Sequence, residues 1–238
     1  MKNNKKIAVF LAARSGSKRL PSKHFLKINS SLKAIDLCIL RLKKTKLVKK
    51  IFLCTTQKKE DEKFKKVCNS HKIKIFRGST NNVAKRIIDC AEENSIETIV
   101  RITADCPLID PSLIDNCIKT HFKMKNDYTS NVLKLTFPDG LDVEVFSLNA
   151  LKYSQKKYKS AFNKEHVTPK LQKSTLFKKF NYENSKNYSN RRWTLDNFED
   201  YIFLKKVVKY FSPRLYFSWK DLIKAEKYNN SLINIKER

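Results

Sequence analysis

Four short apolar runs, each followed by a stretch with helical spacing, fill the first half of the chain and leave few folds open to it. IAVFLAA (7–13) contains no polar residue, which marks a strand covered on both faces. Apolar residues at helical spacing follow over Leu32–Leu42. KIFLCTT (50–56) reads as a second strand and Glu60–Ser70 as a charged helix. IKIFRG (73–78) is a third strand, with an amphipathic helix over Asn82–Asn94. TIVRITA (98–104) is a fourth, before a helix over Pro111–Met124 for which Asp110 is a ready N-cap. This alternation predicts a three-layer α/β/α domain around a mostly parallel sheet.

The rhythm changes after residue 125. YTSNV (128–132) and LDVEVF (141–146) predict two short strands around a Pro-Asp-Gly turn, making the sheet mixed. Leu148–Tyr158 and Glu165–Gln172 look helical. Residues 173–190 are polar and aromatic without a period, as expected of an inserted arm. RRWTLD (191–196) predicts a returning strand, and helices around Phe198–Tyr210 and Trp219–Tyr228 close the chain. With no repeat and no linker, 1–238 is expected to be one domain in three parts, 1–124, 125–190 and 191–238.

The formal charge is +28, from 51 Lys and Arg against 23 Asp and Glu. The lysines are scattered, which suits compositional drift as well as a nucleic-acid footprint. A nucleic-acid binder would cluster its cations on one face or interleave them with aromatics. KKTKLVKK (43–50), the densest run, reads instead as the solvated end of a helix before a strand. Nucleic-acid binding therefore stays an alternative role, while attraction of small anions follows in either case. The apolar runs fall far short of the ~20 residues of a membrane-spanning helix. MKNNKK resembles the positive end of a signal peptide, but the apolar run after it meets RSGSKR, so it is read as the strand of a cytoplasmic protein. The six cysteines form no CxxC and have no histidine at ligand spacing, so they are expected to be buried thiols.

Glycine and arginine mark the chemistry. Only Gly16, Gly78 and Gly140 occur. Gly16 and Gly78 fall at the carboxyl ends of strands, where an open α/β sheet binds ligands, although turns alone also call for glycine. Lysine is the default cation, yet Arg14, Arg19, Arg77, Arg86, Arg101, Arg191 and Arg192 gather near strand ends and loops. Arginine offers a bidentate fork for phosphate or carboxylate; ordinary salt bridging explains some of them equally well. RSGSKRLPSK (14–23) is neither a Walker A loop nor a dinucleotide loop. Its backbone around Ser15–Ser17, with Arg14, Arg19 and Lys23, suits a triphosphate, and it also reads as a solvated basic loop. Asp105 ends the fourth strand and Asp196 ends RRWTLD. Two such carboxylates suit Mg²⁺, and each is also open to a role as a helix N-cap.

Taken in order, LAARSGSKRLPSK (11–23), FRGSTNNVAKR (76–86), RITADCPLIDP (101–111), YTSNV…FPDGLDVEVF (128–146), KEHVTP (164–169) and RRWTLDNFEDY (191–201) resemble the spore-coat-polysaccharide type of cytidylyltransferase. That group is related to the CMP-Kdo and CMP-acylneuraminate synthetases. The resemblance implies a nucleotide-diphospho-sugar transferase fold, CTP as substrate, Mg²⁺ as cofactor and release of pyrophosphate. It implies transfer of CMP to a small anionic acceptor, an acidic sugar or a phosphonate, in surface polysaccharide or glycoconjugate synthesis. It makes 1–124 the nucleotide-binding half and 125–190 the acceptor-binding part, and it suggests a homodimer formed through the latter.

Residue by residue, the resemblance makes Arg14, Lys23, Asp105 and Asp196 catalytic, with Asp105 and Asp196 as metal ligands. Leu11, Ala12, Ala13 and Arg14, with Arg77, Gly78 and Ser79, fall where the family holds cytosine and ribose. Gly16, Ser17, Arg19, Lys23 and Ala104 complete the nucleotide set. Asn131, Asp139, Asp142, Glu144, Glu165 and His166 fall on the acceptor side, with His166 either a base or only a binder. His24, His71 and His121 carry no signal. The family shows an acidic stretch after FRGS, whereas this chain has Thr80-Asn81-Asn82. A glycosyltransferase of similar architecture is the other enzyme reading, but Asp105-Cys106-Pro107 lacks the second carboxylate of a D-x-D pair.

Overall fold

The computed structural model describes residues 6–157 and 161–235. β1 (Ile7–Ala12), β2 (Ile51–Thr56), β3 (Lys74–Gly78) and β4 (Thr98–Thr103) are parallel and lie side by side in the order β3-β2-β1-β4. The unbroken apolar run of β1 has a simple cause. Ile7, Val9 and Leu11 point into one core, and Ala8 and Phe10 into the other. Parallel neighbours need crossovers, and α1 (Ala34–Leu42), α2 (Lys63–Ser70) and α3 (Val83–Glu93) supply them. α1, α2 and α4 (Pro111–Met124) cover the first face, and α3 covers the second. Asp110 caps α4, its Oδ1 accepting from the amide of Ser112 at 2.8 Å.

Three more strands extend the sheet beyond β4. β6 (Glu144–Ser147) pairs antiparallel with β4 and with β5 (Tyr128–Ser130), and β7 (Lys179–Asn181) lies parallel to β5 at the edge. The result is a mixed, mostly parallel seven-stranded sheet between helical layers. α5 (Leu148–Lys157), α6 (Ala161–His166) and α7 (Pro169–Lys173) follow β6. α8 (Phe198–Phe211) and α9 (Trp219–Glu226) complete the layer that holds α1. Tyr158, expected at the end of the helix from Leu148, and residues 1–5 of the MKNNKK start lie outside the described residues.

Several expected elements differ. RRWTLD is not a ladder strand. Trp193 and Leu195 are buried as its alternation demands, but its backbone bonds run to separate loops: Trp193 N–H to Asp139 O, Leu195 N–H to Asp105 O, Arg192 N–H to Asn234 O. It is a strap across the carboxyl edge of the sheet. LDVEVF enters its ladder only at Glu144, because the Asn131 side chain takes the earlier backbone groups: Oδ1 accepts from Val143 N–H at 2.8 Å and Nδ2 donates to Leu141 O at 2.9 Å. The helix expected over Glu165–Gln172 is broken into α6 and α7 at Val167 (φ 69°), with Pro169 opening the second piece. Glu60–Ser70 divides into a 3₁₀ turn, Lys59–Asp61, and α2. The arm at 173–190 supplies the edge strand β7.

All six cysteines are buried and unpaired, and burial pushes the thiols of Cys38, Cys68 and Cys117 up to about 12. Among the described residues no helix is long and apolar enough to cross a membrane.

Candidate active site

The basic loop after β1, the end of β4 and the strap converge on one point. Lys23 Nζ lies 2.9 Å from Asp105 Oδ2 and 2.6 Å from Asp196 Oδ1, and the lysine is only 7% exposed. Burial alone would pull its ammonium down, but the two carboxylates outweigh it and hold the group above its ordinary value. Burial pushes the Asp105 carboxyl up; Lys23 and the hydroxyl of Thr103 outweigh that and hold it below its ordinary value. Lysine and aspartate are therefore both charged at neutral pH. Arg19 Nη2 donates to the other oxygen of Asp196, Oδ2, at 3.1 Å.

Each partner is fixed from behind. Asp61 holds the basic loop: its Oδ1 accepts from Ser15 N–H at 2.7 Å, and its Oδ2 accepts from the Thr56 hydroxyl. Asp200, in the first turn of α8 and 1% exposed, holds the strap. It binds Arg192 through Nε at 2.8 Å and Nη2 at 2.9 Å, and its Oδ2 also accepts from Asp196 N–H at 2.8 Å. Gly140 lets the strap pass, for its φ is +100° and an added Cβ would stand 2.6 Å from the Trp193 carbonyl carbon. Asp61 and Asp200 carried no functional signal in the sequence. The second was legible only as a helix-start acid, three residues after Asn197.

A cavity of about 630 Å³ opens over this cluster. Of the residues expected to bind nucleotide, Ala12, Ala13, Arg14, Gly16, Ser17, Arg19, Lys23 and Ala104 line it, together with Asp105 and Asp196. Leu11 does not, being buried in the core beneath. Arg77 turns away to the carbonyls of Thr56, Gln57 and Lys58 and to Glu62. Gly78 is packed where an added Cβ would lie 2.8 Å from Phe76 and 3.0 Å from Arg86. The Ser79 carbonyl accepts from Arg86 at 2.9 and 2.6 Å, and it is buried Arg86 that reaches the cavity. Asn82, in the departure from the family's acidic stretch, caps α3 by accepting from Lys85 N–H. His24, also in the wall, is fully enclosed; burial lowers its pKa to about 4 and its Nδ1 has no partner, so it is neutral.

The expected acceptor residues scatter. Asp142, Glu144 and His166 line a second cavity of about 300 Å³. Glu165 lies on the rim of the first, where its Oε1 accepts from Arg14 Nη2 at 3.1 Å. Asn131 is spent on the backbone of 141–143, and the Asp139 carboxylate pairs with Arg192 at 3.7 Å. Arg101, Thr103 and His166 line both cavities and so stand at their junction.

The sequence profile of the cytidylyltransferase family matches residues 8–236. The chain belongs to that family. A structure of a cytidylyltransferase from Leptospira borgpetersenii serovar Hardjo-bovis superposes with a TM-score of 0.93 at 32% identity, covering 99% of either chain. An uncharacterized protein of Methanocaldococcus jannaschii is 36% identical over 212 residues, 87% of this chain and 84% of its own. The spore coat polysaccharide biosynthesis protein SpsF of Bacillus subtilis is 31% identical over 149 residues, 61% of this chain and 60% of its own. CMP:2-keto-3-deoxy-manno-octonic acid synthetase, solved with CTP, shares the fold at a TM-score of 0.65 and 11% identity, covering 87% of this chain and 99% of its own. The cytidylyltransferase is thus a nucleotidyltransferase whose mixed sheet is that of its family.

Proposed function

We propose that this cytidylyltransferase transfers CMP from CTP to a small acidic acceptor, an acidic sugar or a phosphonate, with Mg²⁺ and with release of pyrophosphate. The observation that carries the reading is the Lys23 ammonium gripped by Asp105 and Asp196 beneath a cationic loop. The larger cavity takes the nucleotide and the smaller one the acceptor, so the α-phosphate belongs at the junction by Arg101, Thr103 and His166. Arg14, Arg19 and Lys23 supply positive charge where pyrophosphate gains negative charge. Holding the two reactants in adjoining chambers would add proximity and orientation.

The donor set suits a hard cation. Asp105 and Asp196 offer carboxylate oxygens to one shared point, and a cationic nitrogen already stands there. Among the described residues no group of three or more His, Cys, Asp or Glu could hold a metal, so substrate phosphate and water would complete the shell. Bound there, Mg²⁺ would neutralise phosphate charge. Lys23 and Arg19 would then give up their carboxylate partners for phosphate oxygens. His166 serves as a base if the acceptor is a hydroxyl and as a binder if it is already an anion.

A homodimer through 125–190 fits the apolar side chains left exposed there, Leu135, Tyr153, Phe162 and Leu176, and light scattering on the eluting protein measures its mass. The function itself is tested by pyrophosphate release from CTP with Mg²⁺ across acidic sugars and phosphonates. Release confined to UTP or ATP, or release equally fast with neutral sugars, rules the reading out.

A further inference from the structure

Arg101 has so far been placed only at the junction of the two cavities, and its own contacts there are unusual. It lies on β4, a central strand, on the same side as Thr103 and at the junction of the two cavities. Its guanidinium is pinned at one corner only: Nη1 donates to Glu144 Oε2. Nε is shut off from solvent and donates to nothing among the described residues, and no hydrogen bond there uses Nη2. With Nε enclosed and Nη1 on Glu144, Nη2 is the corner left to donate to a carboxylate or phosphonate.

Glu144 explains why that corner is held ready. It is 5% exposed, and its Oε1 accepts from the Tyr128 hydroxyl at 2.8 Å, the Thr168 hydroxyl at 2.5 Å and the Gln172 amide at 3.3 Å. With Arg101 on Oε2, the carboxylate is saturated. It has little left for a ligand and acts instead to fix the guanidinium. These anchors come from β5, β6 and α7, so the second half of the chain sets the orientation of a side chain in the first.

We propose that Arg101 holds the anionic group of the acceptor through its free Nη2 corner, with Glu144 as its positioning residue. The inference rests on the reading of the smaller cavity as the acceptor chamber. The contact selects for anions by leaving a cationic donor unpaired whenever a neutral acceptor enters.

The test uses the full chain with CTP and no metal, titrated with 2-keto-3-deoxy-manno-octonate, with methylphosphonate and with glucose as the neutral control. The readout is the Nε–H resonance of Arg101, identified by its loss in Arg101→Lys. That variant keeps the charge facing Glu144 but lacks the second fixed donor corner. Either anion should move the resonance, and glucose should not. The carboxylate and phosphonate arms tell which acid the chamber takes. Arg101→Lys should weaken anion binding at least tenfold. Glu144→Gln should weaken anion binding as well, with the Arg101 resonance broadened before any ligand is added. Anion binding unchanged in Arg101→Lys overturns the contact, as does a resonance that ignores both anions in protein that still binds CTP. A chain that binds CTP neither without metal nor with Mg²⁺ refutes the nucleotidyl-transfer reading instead.

Discussion

The sheet from β3 to β4 and the region from β5 to the strap are stabilised by different kinds of contact. In the first, every strand neighbour is parallel, each ladder runs four residues or more, and apolar side chains fill both faces. In the second, ladders are three or four residues long. Side chains take over the work of the backbone there: Asn131 binds 141–143, Asp200 binds the strap, and Gly140 gives it room. The ladders make a rigid floor. The side-chain bonds bring parts that are remote in sequence, Lys23, Asp105 and Asp196, to a common point. Fold and site thus depend on different residues, and substitutions can separate them.

The largest expected effect falls on chemistry with the floor intact. Lys23→Ala or Asp105→Asn should lower pyrophosphate release from CTP by ~10²–10³-fold, the usual cost of one preorganised charge. Circular dichroism should show the sheet and helices retained. Near-normal turnover in either variant breaks the assignment of this cluster.

Asp200→Ala should harm both properties. It leaves Arg192 without its bidentate partner and frees the Asp196 and Asn197 amides, at about 3 kcal/mol by urea unfolding. Turnover should fall with it, because Asp196 loses its anchor. A stable variant with full activity would show that the strap holds itself.

His24 tests the floor beneath the loop. Its folded pKa of about 4 lies below the unfolded 6.5, so the unfolded chain binds the extra proton between these values. Stability should be present above pH 6.5 and decline as the pH falls toward 4, by about 3 kcal/mol in all. Urea unfolding of the wild type and His24→Gln at pH 7 and pH 4.5 isolates that slope. Parallel curves would mean that the imidazole is not buried in its neutral form.

The smallest effects distinguish the glycines. Gly140→Ala puts a Cβ at positive φ against the strap and should cost about 1–3 kcal/mol. Gly16→Ala meets only Glu60 Oε1, at 3.4 Å, and should change stability by less than about 0.5 kcal/mol. A large loss at Gly16 would show that the loop is packed more tightly than its contacts indicate.

The contrast also explains what could be read in advance. β1 to β4 and α3 and α4 lie within a residue or two of their expected ranges, because burial on two faces writes its period directly into the side chains. Arg14, Arg19, Lys23, Asp105 and Asp196 stood out as charges at strand ends, and the cavity gathers them. Arg77, Gly78 and Ser79 also lie at a strand end but face elsewhere: Arg77 satisfies the carbonyls after β2, Gly78 is packed against Phe76 and Arg86, and the Ser79 carbonyl accepts from Arg86. RRWTLD alternated like a strand because Trp193 and Leu195 are buried, although alternation does not specify what the backbone pairs with.

The chain by itself determined the layered α/β architecture and the charges available at its carboxyl edge, since both follow from local periodicity and residue chemistry. Tertiary structure alone decided that Lys23 lies between two aspartates, that Asp61 and Asp200 brace them, and that Glu144 serves Arg101. Apart from the local bond between Asp196 and Asp200, those contacts join residues tens to more than a hundred positions apart. Their geometry depends on how loops close over the sheet, which no local pattern encodes.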